Sequence, residues 1–320
     1  MKKKAYFIGD MLNNTGPAIV NKSYYPYLNK NIVFCFSNNK IIRSIHFLFN
    51  FIFVNNIIIS GFSKLNCLLL IISKLFKKNT VYLMHGFAVE EVKYNDNLNG
   101  EKKIKSEYRF LKRVDKIVCV SEFFSEHLKK TYPEFKDKIC FINNGISIDY
   151  NETKQKKEHK TFTIISVGGG VKQKNNMTVC KAINSIKKNI RFIVIGKLAE
   201  DGDRIKDYSF VEYYESLPHE EVIKKMRESD LYIQNSYFET FGLAIIEALE
   251  SGCNLLISKN IGVCSILNNL KENDIILNNE DIEEISKKVL LKMSEKKCNI
   301  TYDKEEVSCE QASKKLLEMM

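Results

Sequence analysis

Short apolar runs alternate with longer amphipathic stretches along the first half of the chain. Each run is rich in Val, Ile, Phe or Tyr and ends in or near Gly, Asn or Ser; they are KAYFIG, NIVFCF, NIIIS, TVYLMHG, KIVCVS and KICFINNG. Runs of this kind, separated by segments of helix length, are typical of βα units that build a parallel sheet with helices on both faces. The pattern predicts a doubly wound, Rossmann-like α/β domain over residues 1–150.

The alternation stops at residues 151–160 and then restarts. The segment NETKQKKEHK is almost devoid of apolar side chains, which predicts a linker. Beyond it lie TFTIISVGGG, RFIVIG, SFVEYY, DLYIQNS, CNLLIS and DIILNN, which predict a second Rossmann-like domain over residues 161–303. We expect residues 304–320 to form a C-terminal helix that packs back on the N-terminal domain. Because ligands of open parallel sheets bind beyond the carboxyl ends of the strands, we expect the two domains to face a cleft lined by strand-end loops.

The most apolar stretch, IHFLFNFIFVNNIIISGF, is interrupted by asparagines and offers no continuous span of about 20 apolar residues. We therefore predict a buried helix followed by the strand NIIIS, and no membrane-spanning helix. A second apolar helix, LNCLLLIISKLFKK, ends in a basic cluster that suits contact with anionic lipid, formed by Lys74, Lys77 and Lys78.

The 320-residue chain carries a formal net charge of +10, with its lysines scattered along the sequence. This excess favours nucleic acid, anionic lipid headgroups or phosphorylated small molecules as partners, and it is equally consistent with a Lys-rich solubilising surface. The nine cysteines form no C-x-x-C pair and lie mostly in apolar runs, so we expect reduced thiols. The N-terminal MKKK leads straight into a strand-like run, so we expect no signal peptide and a cytoplasmic protein.

The segment SVGGGVKQKNN places three glycines, residues 168–170, directly after a predicted strand, and Lys172 and Lys174 follow. Glycines allow a tight turn with exposed backbone N–H groups, and a helix N-terminus with nearby lysines favours phosphate. The segment matches neither a P-loop nor a Rossmann G-x-G-x-x-G pattern. Both a phosphate site and an ordinary strand-to-helix turn fit these residues.

The segment SYFETFGLAIIEALESG carries two glutamates around a predicted turn into a helix. Glu239 precedes the turn at Gly242, and Glu247 lies eight residues further on, at most about 12 Å along a helix axis. That separation is long for an acid and a base acting on one glycosidic bond. It suits two acceptors that bind different hydroxyls of one extended ligand, with a phosphate between them. The alternative is a pair of solvated helix-face glutamates, the role we predict for Glu250.

Several segments of the sequence resemble motifs of a known family. FETFGLAIIEALESGCNLLIS is similar to the E-x7-E signature of retaining GT-B glycosyltransferases of glycosyltransferase family 4, also called glycosyl transferases group 1. Four further segments resemble family motifs in the same order: RVDKIVCVSEFFSEHL, FINNGI, SVGGGVKQKNN and ESLPHEEVIKKMRESDLYIQNS. The resemblance covers nearly the whole chain and implies the GT-B fold, with two Rossmann-like domains facing a cleft.

The resemblance implies roles for individual residues of the second domain. Glu239 would hydrogen-bond the donor sugar, Glu247 the nucleotide ribose, and Lys174 would neutralise the donor diphosphate. The amides around Gly242 and Leu243 would support the phosphate. The resemblance also places five further residues in the donor site: Gly169, Gly170, Ser216, Leu217 and Phe241.

The sequence departs from the family at Gly169, where arginine is common, and Lys172 is a candidate substitute for that arginine. Asn175 in place of the usual glycine is a milder difference.

Two residues of the first domain also match the family. His85 ends the run TVYLMH, and although a core histidine is the usual interpretation of such a position, the resemblance implies a contact with the transferred sugar. Gly16 resembles the family's N-terminal glycine loop and is expected to contact the donor, although the usual second glycine is Pro17 here. His127 and His219 are predicted to be helix-surface residues.

The resemblance implies a metal-independent transferase that retains anomeric configuration, uses no cofactor, and takes a hexose from a UDP- or GDP-sugar co-substrate. With the basic, apolar first domain, it also implies a glycan or polyprenyl-diphosphate-linked acceptor for bacterial surface (capsular) polysaccharide, peripheral attachment at the inner face of the cell membrane, and no nucleic-acid partner. Two alternatives remain: a GT-B epimerase or phosphorylase, and a non-catalytic GT-B subunit that binds a nucleotide-sugar or stabilises a partner, for which the missing arginine is the main support.

Overall fold

The computed structural model describes residues 4–13, 15–95, 99–146, 161–295 and 298–320. The chain divides into two compact units. The first contains the described residues up to Val89, residues 99–146 and Asp303–Met320, and the second contains the described residues from Glu90 to Asn95 and from Thr161 to Tyr302. The predicted linker, residues 151–160, lies outside the described residues.

The first unit is built on a sheet of six parallel strands among the described residues, in the order β2-β1-β3-β4-β5-β6. The strands are β1 (Ala5–Ile8), β2 (Ile32–Phe34), β3 (Asn56–Ser60), β4 (Asn79–Met84), β5 (Lys116–Cys119) and β6 (Ile139–Phe141). They coincide with the six apolar runs and are almost entirely buried, as expected for strands of a parallel sheet.

The helices that connect these strands are α1 (Gly16–Leu28), α2 (Lys40–Asn50), α3 (Lys64–Leu75), α4 (Ala88–Tyr94), α5 (Gly100–Arg113) and α6 (Glu122–Thr131). Several begin where a side chain caps the first turn. Ser63 and Ser121 each accept a hydrogen bond from a backbone N–H at the start of α3 and α6, and Asn39 does the same for α2.

The second unit contains another sheet of six parallel strands among its described residues, in the order β13-β11-β10-β7-β8-β9. The strands of this unit are β7 (Phe162–Val167), β8 (Ile190–Ile195), β9 (Val211–Tyr214), β10 (Leu231–Gln234), β11 (Asn254–Ser258), β12 (Leu267–Asn268), β13 (Ile275–Ile276) and β14 (Thr301–Tyr302). β12 and β14 form a separate antiparallel pair. The helices are α7 (Asn176–Ser185), α8 (Gly202–Lys206), α9 (His219–Arg227), α10 (Leu243–Glu250) and α11 (Ile282–Ser294).

The C-terminal helix α12 (Cys309–Glu318) belongs to the first unit and packs against α1. Gly145, which follows β6, lies against both helices, because a Cβ atom on it would lie 2.7 Å from Cys309 Cα in α12 and 3.1 Å from Tyr24 Cε1 in α1. The prediction of two α/β units with parallel sheets is confirmed. All nine cysteines are free thiols, as predicted.

A buried helix was predicted before β3, and the prediction of its burial is wrong. The helix exists as α2, but Phe47 is its single buried residue. Strand β3, predicted from the run NIIIS, is confirmed and buried. In the described residues, no helix combines the length and the apolar character needed to cross a membrane.

Candidate functional site

Lys174 and Glu239 meet at the carboxyl-end edge of the second sheet. Lys174 closes the 3₁₀ turn Lys172–Lys174 that follows β7, and Glu239 follows β10, the strand paired with β7. Their side chains form an ion pair and are only 25% and 20% exposed. Gln234 Nε2 lies 3.3 Å from the same Glu239 carboxylate and donates to it. The structure thus brings together two residues that the sequence placed in separate motifs.

Gly168 makes room for the Lys174 side chain. Its φ of +143° lies in the region that L side chains rarely adopt, and a Cβ atom there would lie 2.7 Å from Lys174 Cγ. The aliphatic stem of the lysine therefore lies directly over the glycine backbone. This packing directs the ammonium group towards Glu239.

The amides of the glycines at 168–170 are not free for a phosphate. Those of Gly168 and Gly169 donate to the carbonyl oxygen of Ile195 at 2.7 and 3.0 Å, and that of Gly170 donates to Lys197 at 2.9 Å. The expectation that this turn offers exposed N–H groups is therefore wrong. The glycines instead allow the β7 turn to pack on the turn after β8.

The absent arginine at Gly169 has a structural explanation. Gly169 has φ +63°, and a Cβ atom would lie 2.2 Å from the Lys197 carbonyl oxygen. No L side chain fits this backbone without a shift. Lys172, the candidate substitute, lies in the same 3₁₀ turn as Lys174 and is half-buried. Its backbone N–H contacts the Glu200 carboxylate at 3.4 Å.

Asn175 stands where the family usually has glycine, and it adopts a left-handed backbone conformation there. It has φ +50°, in the left-handed region that asparagine tolerates better than other non-glycine residues. Its side chain is buried, donates to the Asn279 carbonyl oxygen at 2.8 Å and accepts from the Thr178 hydroxyl at 2.7 Å. The hydrogen bonds hold the turn that carries Lys174.

Gln173 ties the Lys174 turn to the loop that carries Glu239. Its backbone oxygen accepts from the Tyr237 amide at 3.0 Å, and its side chain donates to the Phe238 carbonyl at 2.9 Å. Asn95, grouped with this unit, accepts from the Gln173 amide at 3.1 Å. Gln173 was not predicted from the sequence, although its position between two lysines was the available signal.

The backbone N–H and C=O groups of Glu239 both make hydrogen bonds. Its amide donates to the Asn260 carbonyl at 3.0 Å, and its carbonyl accepts from the Gly262 amide at 3.0 Å. Phe241, two residues on, is buried, and its carbonyl accepts from Val263 at 2.7 Å. The loop therefore presents the Glu239 carboxylate from a rigid backbone.

The N-terminus of α10 lies beside Glu239. Gly242 caps the helix with φ +102°, and a Cβ atom there would be 3.6 Å from Glu239 Cγ. In the described part of the chain, the amides of Gly242 and Leu243 have no hydrogen-bond acceptor. Free N–H groups and the positive end of the helix dipole are features that suit an anion.

Glu247, inside α10, pairs with the first residue of α9. His219 Nε2 lies 3.0 Å from a Glu247 carboxylate oxygen, and the side chains are 47% and 16% exposed, respectively. This hydrogen bond, together with the charge of the carboxylate, raises the pKa of His219 above its ordinary value. His219 is an exposed residue at the start of α9, as predicted, but its pairing with Glu247 was not predicted. Its position shortly after Ser216 and Leu217 in the family-like segment was the available signal.

Ser216 and Leu217 lie between β9 and α9, where Ser216 is exposed and Leu217 half-buried. Within the described residues, neither makes a hydrogen bond with Lys174, Glu239 or Glu247. Their predicted role in donor binding stays a prediction.

In the first unit, His85 belongs to a chain of hydrogen bonds at the carboxyl ends of β1, β3 and β4. Asn21 Nδ2 donates to the Asp10 carbonyl at 2.9 Å, which leaves Asn21 Oδ1 as the acceptor from the Ser60 hydroxyl at 2.8 Å. The Ser60 oxygen then accepts from His85 Nε2 at 3.0 Å. Burial lowers the pKa of His85 to about 4. The imidazole is therefore neutral at pH 7 and carries its proton on Nε2.

Gly16 begins α1 and is exposed, and nothing lies within 4 Å of a Cβ atom placed on it. It shares the first unit with His85, whereas the other predicted residues belong to the second.

The sequence models of two families match the chain. The family described as Glycosyl transferases group 1 matches residues 148–315, and Glycosyltransferase Family 4 matches residues 13–150. The Phosphatidylinositol N-acetylglucosaminyltransferase GPI3 subunit of Saccharomyces cerevisiae (strain YJM789) is 27% identical over 167 residues, which cover 46% of this chain and 36% of that protein. The chain thus spans little more than a third of this curated relative.

Solved structures share the fold. A glycosyltransferase from Rickettsia africae ESF-5 superposes with a TM-score of 0.69 at 16% identity, over 99% of this chain and 97% of that one. Anabaena Alr3699/HepE in complex with UDP and glucose gives a TM-score of 0.67 at 11% identity, over 99% and 95%. The two parallel sheets match these GT-B neighbours, as predicted. Because one family model covers more than half of the chain, the protein belongs to the glycosyl transferases group 1 family.

Proposed function

We propose that this protein is a retaining glycosyltransferase that transfers a hexose from a nucleotide-sugar to a lipid-linked glycan acceptor. One observation carries the proposal. At one edge of the second sheet, the Lys174 ammonium, the Glu239 carboxylate and the free amides of Gly242 and Leu243 lie together. A cation and helix N-terminal amides suit a diphosphate, and a carboxylate suits sugar hydroxyls.

Lys174 and the α10 amides would stabilise the departing diphosphate. When a donor binds, its phosphate competes with Glu239 for the Lys174 ammonium. Charge develops on the phosphate oxygen as the glycosyl–phosphate bond breaks, and preorganised donors at that point lower the barrier. This charge stabilisation supports transfer without a divalent metal.

Glu239 and Glu247 would orient the two ends of the donor. Glu239, freed from Lys174, accepts hydrogen bonds from the sugar, and Glu247, held by His219, accepts from the ribose. Retention then needs no protein nucleophile. The bond from the sugar C1 to the phosphate oxygen breaks, the bond from C1 to the acceptor oxygen forms on the same face, and the leaving phosphate takes the proton of the acceptor hydroxyl.

The substrates are proposed from the relatives. The Anabaena structure contains UDP and glucose, which supports a UDP-hexose donor, and we keep a GDP-hexose as the alternative donor. The yeast relative is named for a phosphatidylinositol acceptor, which supports a lipid-linked acceptor here. We place this activity in bacterial surface polysaccharide synthesis, with the protein in the cytoplasm and peripheral at the membrane.

Donor binding and transfer, measured separately, test the proposal. Calorimetry with UDP-, GDP- and dTDP-sugars, repeated in EDTA, identifies the donor, and thin-layer chromatography of a lipid extract with radiolabelled donor detects transfer. We expect Lys174→Gln to weaken donor binding by tenfold or more, because a charge-assisted phosphate contact contributes roughly 1.5–3 kcal/mol. Lys206→Gln, which removes an exposed ion pair with Glu215 in the same unit, is the matched control.

Loss of binding in Lys174→Gln with an intact control supports the site. Normal transfer in Lys174→Gln would contradict it. Tight donor binding with no transfer to any acceptor would favour the alternative of a non-catalytic nucleotide-sugar-binding subunit.

A further inference from the structure

An apolar stripe on α2 faces outward. Its members recur at helical spacing, and their exposed fractions range from 48% to 72%. On α2 they are Ile41, Ile42, Ile45, Leu48 and Phe49, and Ile52 and Phe53 continue the stripe on the 3₁₀ turn that follows.

The opposite side of α2 is held against the sheet. His46 Nδ1 lies 2.7 Å from the Tyr6 hydroxyl, and the Tyr6 and Phe47 rings pack edge to face at 5.3 Å. An ordinary surface helix turns its apolar face to the core and its polar face to water. In α2, His46 and Phe47 face inward while Ile41, Ile45 and Phe49 face outward, so specific inward contacts fix the exposure of the stripe.

Helix α3 extends the same surface. Leu68, Ile71 and Leu75 lie on its outer side at helical spacing, and Phe76 follows; each is at least 43% exposed. The ends of the two helical segments meet, because the Phe51 and Phe76 rings are in contact at 5.1 Å. We call the outer residues of positions 41–53 and 68–76 the α2–α3 face.

The segment that carries the α2–α3 face has charge of one sign, and the acidic Asp115, from outside the segment, pairs with Lys74 at the end of α3. Residues 11–89 contain eight Lys or Arg and no Asp or Glu, so this segment contributes +8 to a chain of net charge +10. Lys40, Lys64 and Lys77, at the ends of α2 and α3, are exposed. A contiguous apolar surface bordered by lysines matches a bilayer whose headgroups are anionic.

We propose that the α2–α3 face binds an anionic lipid bilayer, with its apolar side chains below the headgroups and its lysines at the lipid phosphates. Helix α2 has 11 residues, about 16 Å of rise, so it lies in the interface and does not span. A second copy of the chain is a poorer occupant, because it would bring together two segments of the same positive charge. This docking would hold the proposed enzyme at the surface where a lipid-linked acceptor resides.

Vesicle binding can be measured without nucleotide, so its failure is distinguishable from failure of the proposed transfer. The chain has no tryptophan, so Phe49→Trp provides a single fluorophore on the face. We expect its emission to shift to the blue with vesicles of phosphatidylcholine containing about 30% phosphatidylglycerol, and to be quenched by brominated acyl chains. Leu291→Trp, at an exposed apolar position of α11, is the matched control and should show neither change.

Flotation of the full chain with the same vesicles tests both parts of the face. Phe49→Glu with Phe53→Glu should abolish binding, whereas Leu290→Glu with Leu291→Glu should not, with circular dichroism confirming that each variant is folded. Neutralising Lys40, Lys64 and Lys77 to Gln should weaken binding about 100-fold, because each lysine contributes roughly fivefold.

Three results would overturn the proposal. One is no flotation of the unmodified chain at about 150 mM salt, and a second is equal flotation of the Phe49→Glu, Phe53→Glu variant. The third is a dimer in light scattering that this variant dissociates, which would assign the face to a second copy.

Discussion

Replacing Gly169 by alanine tests whether the missing arginine is a defect of the site or a requirement of the fold. The residue has φ +63°, and its Cβ position lies 2.2 Å from the Lys197 carbonyl oxygen and 2.5 Å from the Gly196 carbonyl carbon. Both obstacles are backbone atoms, which cannot rotate away as a side chain could. Even one methyl group must therefore move the turn after β8.

The cost of this methyl group has two parts. A left-handed backbone costs an L residue about 1–2 kcal/mol. Overpacking adds about 1–3 kcal/mol, so Gly169→Ala should lower the free energy of unfolding by roughly 2–5 kcal/mol. Gly252 allows the backbone cost to be measured without the overpacking cost, because its φ is +90° but nothing lies within 4 Å of its Cβ position. Gly252→Ala should therefore show the backbone cost alone.

Thermal unfolding followed by circular dichroism at 222 nm measures the difference. Both glycines lie in the second unit, so the same transition reports on both variants. A unit of this size loses about 2–4 °C per kcal/mol, so Gly169→Ala should melt several degrees below Gly252→Ala. Melting temperatures within about 1 °C of each other would refute the steric reasoning. In that case the arginine would be absent for another reason, and Gly169→Arg would become the variant to assay for stronger donor binding.

The remaining predictions concern charge and protonation. Glu239→Gln should bind free nucleoside diphosphate at least as tightly as the unmodified protein, because Lys174 loses its competitor, yet it should transfer sugar poorly; weaker diphosphate binding in calorimetry would contradict this. His219, whose pKa is raised by Glu247, contributes stability below pH 6.5 that is lost as pH rises through the folded-state pKa; in NMR titration, Glu247→Gln should lower that pKa, and no change would contradict the pairing. His85 should stay in the Nε2–H form and titrate only near its pKa of about 4, and Ser60→Ala should populate the Nδ1–H tautomer; titration of His85 near 6.5 would contradict its burial.

The periodicity of the sequence was sufficient to locate the strands. Each of the twelve predicted runs contains a strand of the two six-stranded sheets, because apolar runs of strand length between helices have few alternatives in a chain of this size. The order of the strands in each sheet could not be predicted in this way, because an apolar run does not show which other strands it pairs with. That β10 pairs with β7, and so brings Glu239 to Lys174, is a long-range fact that only the family resemblance anticipated.

The predictions that were wrong or missed share one physical cause, which is that they depend on contacts between residues far apart in the sequence. Helix α2 has the period of an amphipathic helix, but a period does not say which face meets the core, so its apolar stripe was wrongly predicted to be buried. The glycines at 168–170 were expected to expose amides, because a sequence does not show that the Ile195 carbonyl accepts from two of them. The pairing of His219 with Glu247 was not predicted, because the two residues lie on different helices.

If the proposed function holds, the Lys174–Glu239 pair would make the site selective for a sugar diphosphate. A lysine and a glutamate that are each at least three-quarters buried would be costly to hold unpaired, and their mutual contact offsets that cost. A bare phosphate that took Lys174 would leave the carboxylate without its cation. A nucleoside alone would offer Lys174 no anion. Only a ligand with an anionic group for Lys174 and a hydroxyl for Glu239 replaces both halves of the pair, and a nucleotide-sugar carries those two groups next to each other.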